Sequence, residues 1–137
     1  GFEALSRGAV SVTFVDNSID AIKMLKKNAK LLGVENCVRI IKTETSMAIS
    51  KLKRESVKFD LIFADPPYKT SMEMMKSIFS NIGMIMNDNG IFLLETDKNC
   101  NNIDIAGLEI KKEKIYGSTR IWIYQTKRTD CCISWKF

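Results

Sequence analysis

An apolar segment that stops abruptly at an acid and two prolines constrains this chain more than any other feature. Residues 60–68 read Asp-Leu-Ile-Phe-Ala-Asp-Pro-Pro-Tyr. The apolar run predicts a buried parallel strand, and Pro66 and Pro67 end its pairing because proline has a fixed φ and no N–H to donate. The strand therefore delivers Asp65 to the carboxyl edge of an α/β sheet, where ligands bind in open sheets of this kind.

The loop from Asp65 to Tyr68 has the groups needed to hold a small planar substrate that carries an amine. Asp65 offers a carboxylate, Pro66 and Pro67 offer a rigid run of carbonyls, and Tyr68 offers an aromatic face. If the two N–H groups of an exocyclic nucleobase amine bond to these acceptors, its lone pair points toward an incoming methyl group. Because Asp and Pro are also common in ordinary turns, the tetrapeptide alone leaves a purely structural role open.

The remaining sequence predicts alternating strands and helices. The predicted strands are 11–15, 38–41, 59–64 and 90–95, and the predicted helices are 1–7, 19–32, 46–55 and 71–82. Residues 108–116 and 119–125 alternate apolar and polar side chains around Gly117-Ser118, which predicts an antiparallel hairpin at a sheet edge. With 137 residues, of which 45% are hydrophobic, we expect one domain over residues 1–126 and a tail over 127–137.

Two of the predicted helices have an apolar face that we expect to be buried. In the helix over 19–32, which Ser18 can cap, this face consists of Ile22, Leu25, Ala29 and Leu32. In the methionine-rich helix it consists of Met72, Met75, Ile78, Phe79 and Ile82.

A second candidate site follows the first predicted strand. Asp16 comes directly after the apolar run that ends at Val15, where nucleoside-binding α/β folds place an acid on the ribose hydroxyls. Asp16-Asn17-Ser18 is also a favourable helix start, in which Asp16 merely interacts with the helix dipole. The residues alone leave both interpretations open.

Four segments resemble the bacterial 16S ribosomal RNA guanine-N2 methyltransferases. They are residues 1–9 (GFEALSRGA), the Asp-Pro-Pro-Tyr loop, Leu93-Leu94-Glu95 and residues 112–117 (KEKIYG), and the resemblance extends over about residues 1–126. It implies a Rossmann-like seven-stranded sheet, S-adenosylmethionine as methyl donor and a flipped guanine as acceptor. By the same resemblance Asp16 and Asn17 contact the cofactor ribose, Glu44 and Thr45 contact its adenine, and Asp65 borders both ligands.

The chain departs from this family at its beginning. In the family, the first strand and the glycine-rich loop that holds the methionine part of the cofactor precede the residue that matches Gly1. We therefore expect an N-terminally truncated protein that lacks the first strand of its sheet and half of its cofactor pocket.

Charge and composition favour an RNA partner and argue against a metal or membrane protein. The net charge is +5, and Lys23, Lys26, Lys27 and Lys30 recur at helical spacing, either as a phosphate-binding stripe or as a solvated helix face. Because the chain has no histidine and its four cysteines form no CxxC pair, we expect no metal site and reduced thiols in the cytoplasm. No apolar run approaches the ~20 residues that cross a bilayer, and we expect a monomer.

Three functions from different classes remain open. The first is transfer of a methyl group to the N2 amine of a guanine in small-subunit ribosomal RNA, free or in an assembling particle. The second is methylation of DNA adenine N6 or of a protein glutamine, whose nitrogens suit a similar loop. The third is a non-catalytic, truncated domain that binds RNA through its basic surface.

Overall fold

The computed structural model describes residues 1–67 and 69–127, which fold into two compact units whose boundary lies between Lys51 and Leu52. The first unit contains helix α1 (Phe2–Ser6), strand β1 (Val12–Asp16), helix α2 (Ile19–Leu31), strand β2 (Val38–Lys42) and the start of helix α3 (Thr45–Arg54). The second contains strand β3 (Phe59–Ala64), helix α4 (Met72–Phe79) and strands β4 (Met86–Asp97), β5 (Leu108–Tyr116) and β6 (Thr119–Thr126).

The first unit is built on a two-stranded parallel sheet. β1 pairs with β2 in a register that runs from Val12 opposite Val38 to Asp16 opposite Lys42. Helix α2 crosses between the two strands, begins at the cap Ser18, whose side chain accepts from the Ala21 N–H, and ends before Gly33. Gly33 has a φ of +64°, a left-handed conformation that suits glycine because it has no Cβ.

The apolar face predicted for α2 is only partly buried. Ile22 and Ala29 are buried and Leu25 is half-buried, as the helical spacing indicates. Leu32 is 60% exposed, because the helix has already ended at Leu31 and the chain turns away at Gly33.

The second unit contains a four-stranded mixed sheet in the order β3-β4-β6-β5. β3 and β4 are parallel, and β6 runs antiparallel to both β4 and β5. On one face of this sheet Phe92, Leu94 and Tyr124 are at most 1% exposed, and the Phe92 ring lies 5.2 Å from that of Phe79 in α4. The six strands in the described residues have the predicted types, and the predicted hairpin is present.

Two elements, α4 and β4, differ from their predicted bounds by more than one residue at an end. Helix α4 ends at Phe79, and a short 3-10 helix over Ile82–Ile85 follows it, with Ile82 still buried. β4 begins four residues before Gly90, at an irregularity where its pairing moves from Phe59 opposite Met86 to Leu61 opposite Ile91. A Cβ at Gly90 would lie 2.8 Å from the Asn87 carbonyl oxygen, so this close backbone approach requires glycine.

The predicted tail lies almost wholly outside the described residues. Lys127, its first member, donates its backbone N–H to the Gly107 carbonyl at 2.9 Å. The division into a domain over 1–126 and a separate tail stays a prediction. None of the described helices is long and apolar enough to span a membrane.

Candidate active site

The cofactor residues predicted in the first unit lie at the carboxyl ends of two neighbouring strands. Asp16 ends β1 opposite Lys42, the last residue of β2, and the Asp16 carbonyl accepts from the Thr43 N–H at 3.1 Å. Asn17 follows β1 directly, and Glu44 lies two residues beyond the end of β2. Parallel pairing therefore brings the two predicted ligand-binding segments together, although 27 residues separate Asn17 from Glu44 in the sequence.

A side-chain hydrogen bond joins these two segments. The Asn17 amide nitrogen, Nδ2, donates to the Glu44 carboxylate oxygen Oε1 at 2.6 Å. A bond to an ionised acceptor is stronger than one between neutral groups, so it holds Glu44 in one orientation even at this exposed position. No local sequence signal predicts this contact, because only the strand register places Asn17 beside Glu44.

Asp16 takes part in the helix start and still retains a free oxygen. Its Oδ1 accepts from the Ser18 N–H at 2.8 Å, which is the helix-start role considered from the sequence. Among the described residues, no donor bonds to its other carboxylate oxygen. Since a carboxylate can accept several hydrogen bonds, the two roles are compatible.

Thr45 is placed beside this network but is not part of it. It is the first residue of α3 and exposed, and its neighbour Glu44 accepts from the Ala48 N–H through its backbone carbonyl at 3.0 Å. The free oxygen of Asp16 and the second oxygen of Glu44 are acceptors for hydroxyl and amine donors. This set fits the ribose diol and the adenine amine of a nucleoside.

In the second unit, Asp65 lies where the sequence predicts it. β3 ends at Ala64, so Asp65 is the first residue beyond the strand, and it is exposed. Within the described ranges, its carboxylate has neither a hydrogen-bond donor nor an ion-pair partner. It is therefore available to a ligand.

The two proline carbonyls of the loop are not equivalent. The Pro67 carbonyl accepts from the Thr70 N–H at 2.8 Å, which closes a turn before α4. Helix α4 then starts at its cap Ser71, whose side chain accepts from the Met74 N–H. Pro66 keeps its carbonyl free of any such bond to the described chain. The fourth residue of the predicted loop, Tyr68, lies outside the described residues.

Glu95 is a second acid at the same edge of the second sheet. Ala64 pairs with Leu94, so Asp65, the first residue beyond β3, and Glu95, which lies within β4, each follow the last pair between these two parallel strands. Glu95 is half-buried, lies on the sheet face opposite Leu94, and has no side-chain partner among the described residues. Glu95 follows the apolar pair Leu93-Leu94 in the sequence, which resembles the signal that identified Asp65, although β4 continues to Asp97.

Comparisons with known proteins identify the fold. The chain is 28% identical over 125 residues to a Haemophilus influenzae protein named Ribosomal RNA small subunit methyltransferase D. The match covers 91% of this chain and 65% of that protein, so the chain spans just under two thirds of the relative's length.

Solved structures agree with the sequence relative. A conserved hypothetical protein from Streptococcus pyogenes is 30% identical, with a TM-score of 0.77 over 91% of this chain and 77% of its own. The fold is also that of a SAM-dependent methyltransferase from Agrobacterium tumefaciens, which is 18% identical with a TM-score of 0.69 and is matched over 91% of this chain and 51% of its own. The predicted Rossmann-like methyltransferase fold is thus confirmed.

The family match covers most of the chain. Residues 1–125 match the family described as Conserved hypothetical protein 95. Together with the rRNA methyltransferase relative, this match confirms the predicted resemblance. This chain, with its Asp-Pro-Pro-Tyr loop, belongs to the Conserved hypothetical protein 95 family.

Proposed function

We propose that this protein transfers a methyl group from S-adenosylmethionine to the exocyclic N2 amine of a guanine in small-subunit ribosomal RNA. The observation that carries the proposal is Asp65, an exposed carboxylate without a partner among the described residues, directly after β3. The printed name of the Haemophilus influenzae relative supports the small-subunit rRNA substrate. The guanine N2 position is supported by the resemblance of the sequence and by the chemistry of the edge that carries Asp65.

The loop activates the amine by positioning it. A purine amine is a poor nucleophile because its lone pair is delocalised into the ring. Asp65 accepts one N–H of the amine and the free carbonyl of Pro66 accepts the other, which favours a pyramidal nitrogen with a directed lone pair. Preorganised acceptors of this kind lower the barrier without a covalent intermediate.

The cofactor site of the first unit supplies the other half of the chemistry. When bound, S-adenosylmethionine supplies an electrophilic methyl group on a sulfonium centre. Asp16 holds the ribose hydroxyls with its free oxygen, and Glu44, oriented by Asn17, accepts from the adenine amine. Thr45 adds a hydroxyl next to Glu44.

Glu95 favours guanine over adenine as the acceptor. Guanine presents its N1–H and its N2 amine side by side as donors, whereas the adenine N1 is an acceptor. A carboxylate cannot donate to that acceptor, so two adjacent acids, Asp65 and Glu95, suit the donor edge of guanine. The acceptor at adenine N1 also disfavours DNA adenine-N6 methylation, the alternative considered from the sequence.

The acceptor guanine has to be unpaired to reach the loop. A base within a duplex cannot enter such a site, so the target is single-stranded or flipped out, and Tyr68 stacks on it. The partner is ribosomal RNA, either free or in an assembling small subunit. A protein that acts on this partner works in the cytoplasm, and we propose that it acts as a monomer.

The proposal is tested by mass spectrometry of methylated RNA. The protein is incubated with labelled S-adenosylmethionine and either unmodified small-subunit rRNA or small subunits, and the RNA is then digested to nucleosides. We expect the label in N2-methylguanosine. Label in N6-methyladenosine or in protein glutamine, or no transfer to either form of the substrate, would overturn the proposal.

A further inference from the structure

Three lysines of α2 line a cleft that plays no part in the proposed methyl transfer. The cavity, of about 640 Å³, lies within the first unit between α2 and β2. Lys26, Lys27 and Lys30 form its wall on the helix side, and Glu35 contributes a single acid. The side chains that line the cleft thus carry a net positive charge.

The lysine side chains of this wall have no partner in the part of the chain that the structure describes. In residues 1–67 and 69–127, no carboxylate forms an ion pair with Lys26, Lys27 or Lys30, and none of the three makes a side-chain hydrogen bond. All three are exposed. Their ammonium groups are therefore free to bind an anion from outside the protein.

The spacing of the lysines places like charges next to one another on the surface of α2. Lys23 and Lys27 are one helical turn apart, as are Lys26 and Lys30, and like charges at this spacing destabilise a helix. A helix face that only needs to be solvated can carry mixed charges without this cost. Bound anions would replace the repulsion by attraction.

The floor of the cleft is apolar, and the nearby helix carbonyls are already bonded. Ala29 is buried, and Val38 and Ile40 of β2 are half-buried beneath the lysines. The Ala29 carbonyl accepts from the Val34 N–H at 3.0 Å and the Lys30 carbonyl from the Gly33 N–H at 3.1 Å. A ligand with charged groups and less polar spacers between them, such as a sugar–phosphate chain, fits this combination.

We propose that Lys26, Lys27 and Lys30, the lysine cleft, bind backbone phosphates of a single-stranded segment of the RNA substrate. The proposal rests on the proposed function for the identity of the nucleic acid, and it assigns this RNA a second point of contact besides the target base. Lysine contacts with phosphates position the RNA without reading its sequence. The lysine cleft therefore anchors the RNA whatever bases lie next to the target.

The test compares two triple variants that remove the same charge from different places. One replaces Lys26, Lys27 and Lys30 by Ala. The matched control replaces Lys98, Lys112 and Lys114, three exposed lysines of the second unit, by Ala. Binding of a fluorescein-labelled single-stranded oligoribonucleotide is measured by anisotropy at several salt concentrations, and circular dichroism checks that both variants retain their helices.

The lysine-cleft variant is expected to bind at least about tenfold more weakly than the control variant at low salt. The slope of log K against log salt should fall by about 2, since each phosphate contact with a single strand contributes about 0.7. Equal effects of both variants, or no RNA binding by the unchanged protein, would overturn the proposal. Tighter binding of polyglutamate than of RNA would also overturn it, because the cleft would then fit an acidic protein segment.

Failure of this inference is distinguishable from failure of the proposed function. An Asp65→Ala variant should transfer the methyl group about 10²-fold more slowly and bind the oligoribonucleotide as the unchanged protein does. If binding depends on the lysine cleft but no guanine is methylated, the inference stands and the proposed function is wrong. If guanine is methylated and RNA binding does not depend on these lysines, the proposed function stands and the inference is wrong.

Discussion

The two candidate half-sites differ in how their carboxylates are satisfied. In the first unit, Asn17 donates to Glu44 at 2.6 Å and the Ser18 N–H donates to Asp16 at 2.8 Å. In the second unit, Asp65 and Glu95 have no side-chain partner among the described residues. The acids of the first unit are therefore oriented before any ligand binds, whereas those of the second unit form their hydrogen bonds with the ligand itself.

This difference corresponds to the two ligands that we propose. A cofactor that binds in the same way in every turnover benefits from acids that are already oriented, because less ordering remains when it binds. An acceptor amine needs carboxylates whose hydrogen bonds form with the reacting group itself, since only such bonds can strengthen as the reaction proceeds. The comparison therefore predicts binding defects from changes in the first unit and rate defects from changes in the second.

The scaffolds beneath the two half-sites differ as well. All five residues of β1 are half-buried, whereas β4 alternates buried residues with more exposed ones. Phe92 and Tyr124 stack at 5.7 Å within the core of the second unit. The strand that precedes Asp65, β3, has no buried residue itself and pairs with the more deeply buried β4.

The largest effect is expected from Asp65→Ala. Removing the Asp65 carboxylate should lower the rate of methyl transfer by about 10²-fold, because the amine loses the group that directs its lone pair. The rate is measured with labelled S-adenosylmethionine, and cofactor binding is measured by calorimetry. Binding should be unchanged. Equal losses of rate and cofactor affinity would contradict the assigned role, and Asp65→Asn, which keeps one acceptor oxygen, should retain more activity than Asp65→Ala.

Tyr124→Phe should destabilise the second unit by about 2 kcal/mol. The Tyr124 hydroxyl donates to the Ile103 carbonyl at 2.9 Å and accepts from the Ile103 N–H at 3.2 Å, and Ile103 is fully buried. The substitution leaves both backbone groups unsatisfied. Urea unfolding measures the loss, with Tyr116→Phe as control because Tyr116 is 58% exposed.

The same tyrosine makes stability depend on alkaline pH. Burial raises the pKa of Tyr124, because the phenolate is disfavoured away from water. Below the unfolded-state pKa of about 10, the phenol is protonated in both states and its contribution is complete. Above it only the unfolded state ionises, so stability falls as the pH rises toward the folded-state pKa. Tyr124→Phe should remove this part of the alkaline loss.

Glu95→Gln should change which base is accepted. An RNA in which 2-aminopurine replaces the target guanine keeps the N2 amine but presents N1 as an acceptor. The unchanged protein should prefer guanine, and the glutamine amide, which can donate to N1, should reduce this preference by about tenfold. Competition between the two RNAs gives the ratio, and Glu113→Gln on β5 is the control. An unchanged preference would remove Glu95 from the acceptor site.

The elements of both units could be predicted from sequence because local signals determine them. The strand before Asp65 and the cap at Ser18 follow from apolar patterning and side-chain capping, and both elements are present. The predicted burial of the strand was wrong, because β3 is an edge strand of its four-stranded sheet and Leu61 and Phe63 are more than half exposed. The longer β4 was missed because its start depends on a pairing irregularity and on the close backbone approach at Gly90. Such contacts arise between strands and have no local signal.

The candidate site also contains features that local sequence signals predict and features that only the three-dimensional arrangement determines. Asp16 and Asp65 could be placed at strand ends because the end of an apolar run marks the sheet edge. The bond between Asn17 and Glu44, and the use of the Pro67 carbonyl within its own turn, depend on the three-dimensional arrangement. Sequence reasoning thus identified the acids but not which acceptors remain free.

The smallest effect, and the most direct test of the comparison, is expected from Asn17→Ala. If the Asn17 amide only orients Glu44, its loss should weaken binding of S-adenosylhomocysteine by about 1 kcal/mol, or about fivefold, as measured by calorimetry. In a protein that already carries Glu44→Ala, the same substitution should have almost no effect, because the group it orients is gone. Asn17→Asp should weaken binding more than Asn17→Ala does, since it places a second carboxylate beside Glu44. Additive losses in the double variant would mean that Asn17 contacts the ligand directly. The polar residues of the first unit would then form their hydrogen bonds only when the ligand binds, as is proposed for Asp65 and Glu95.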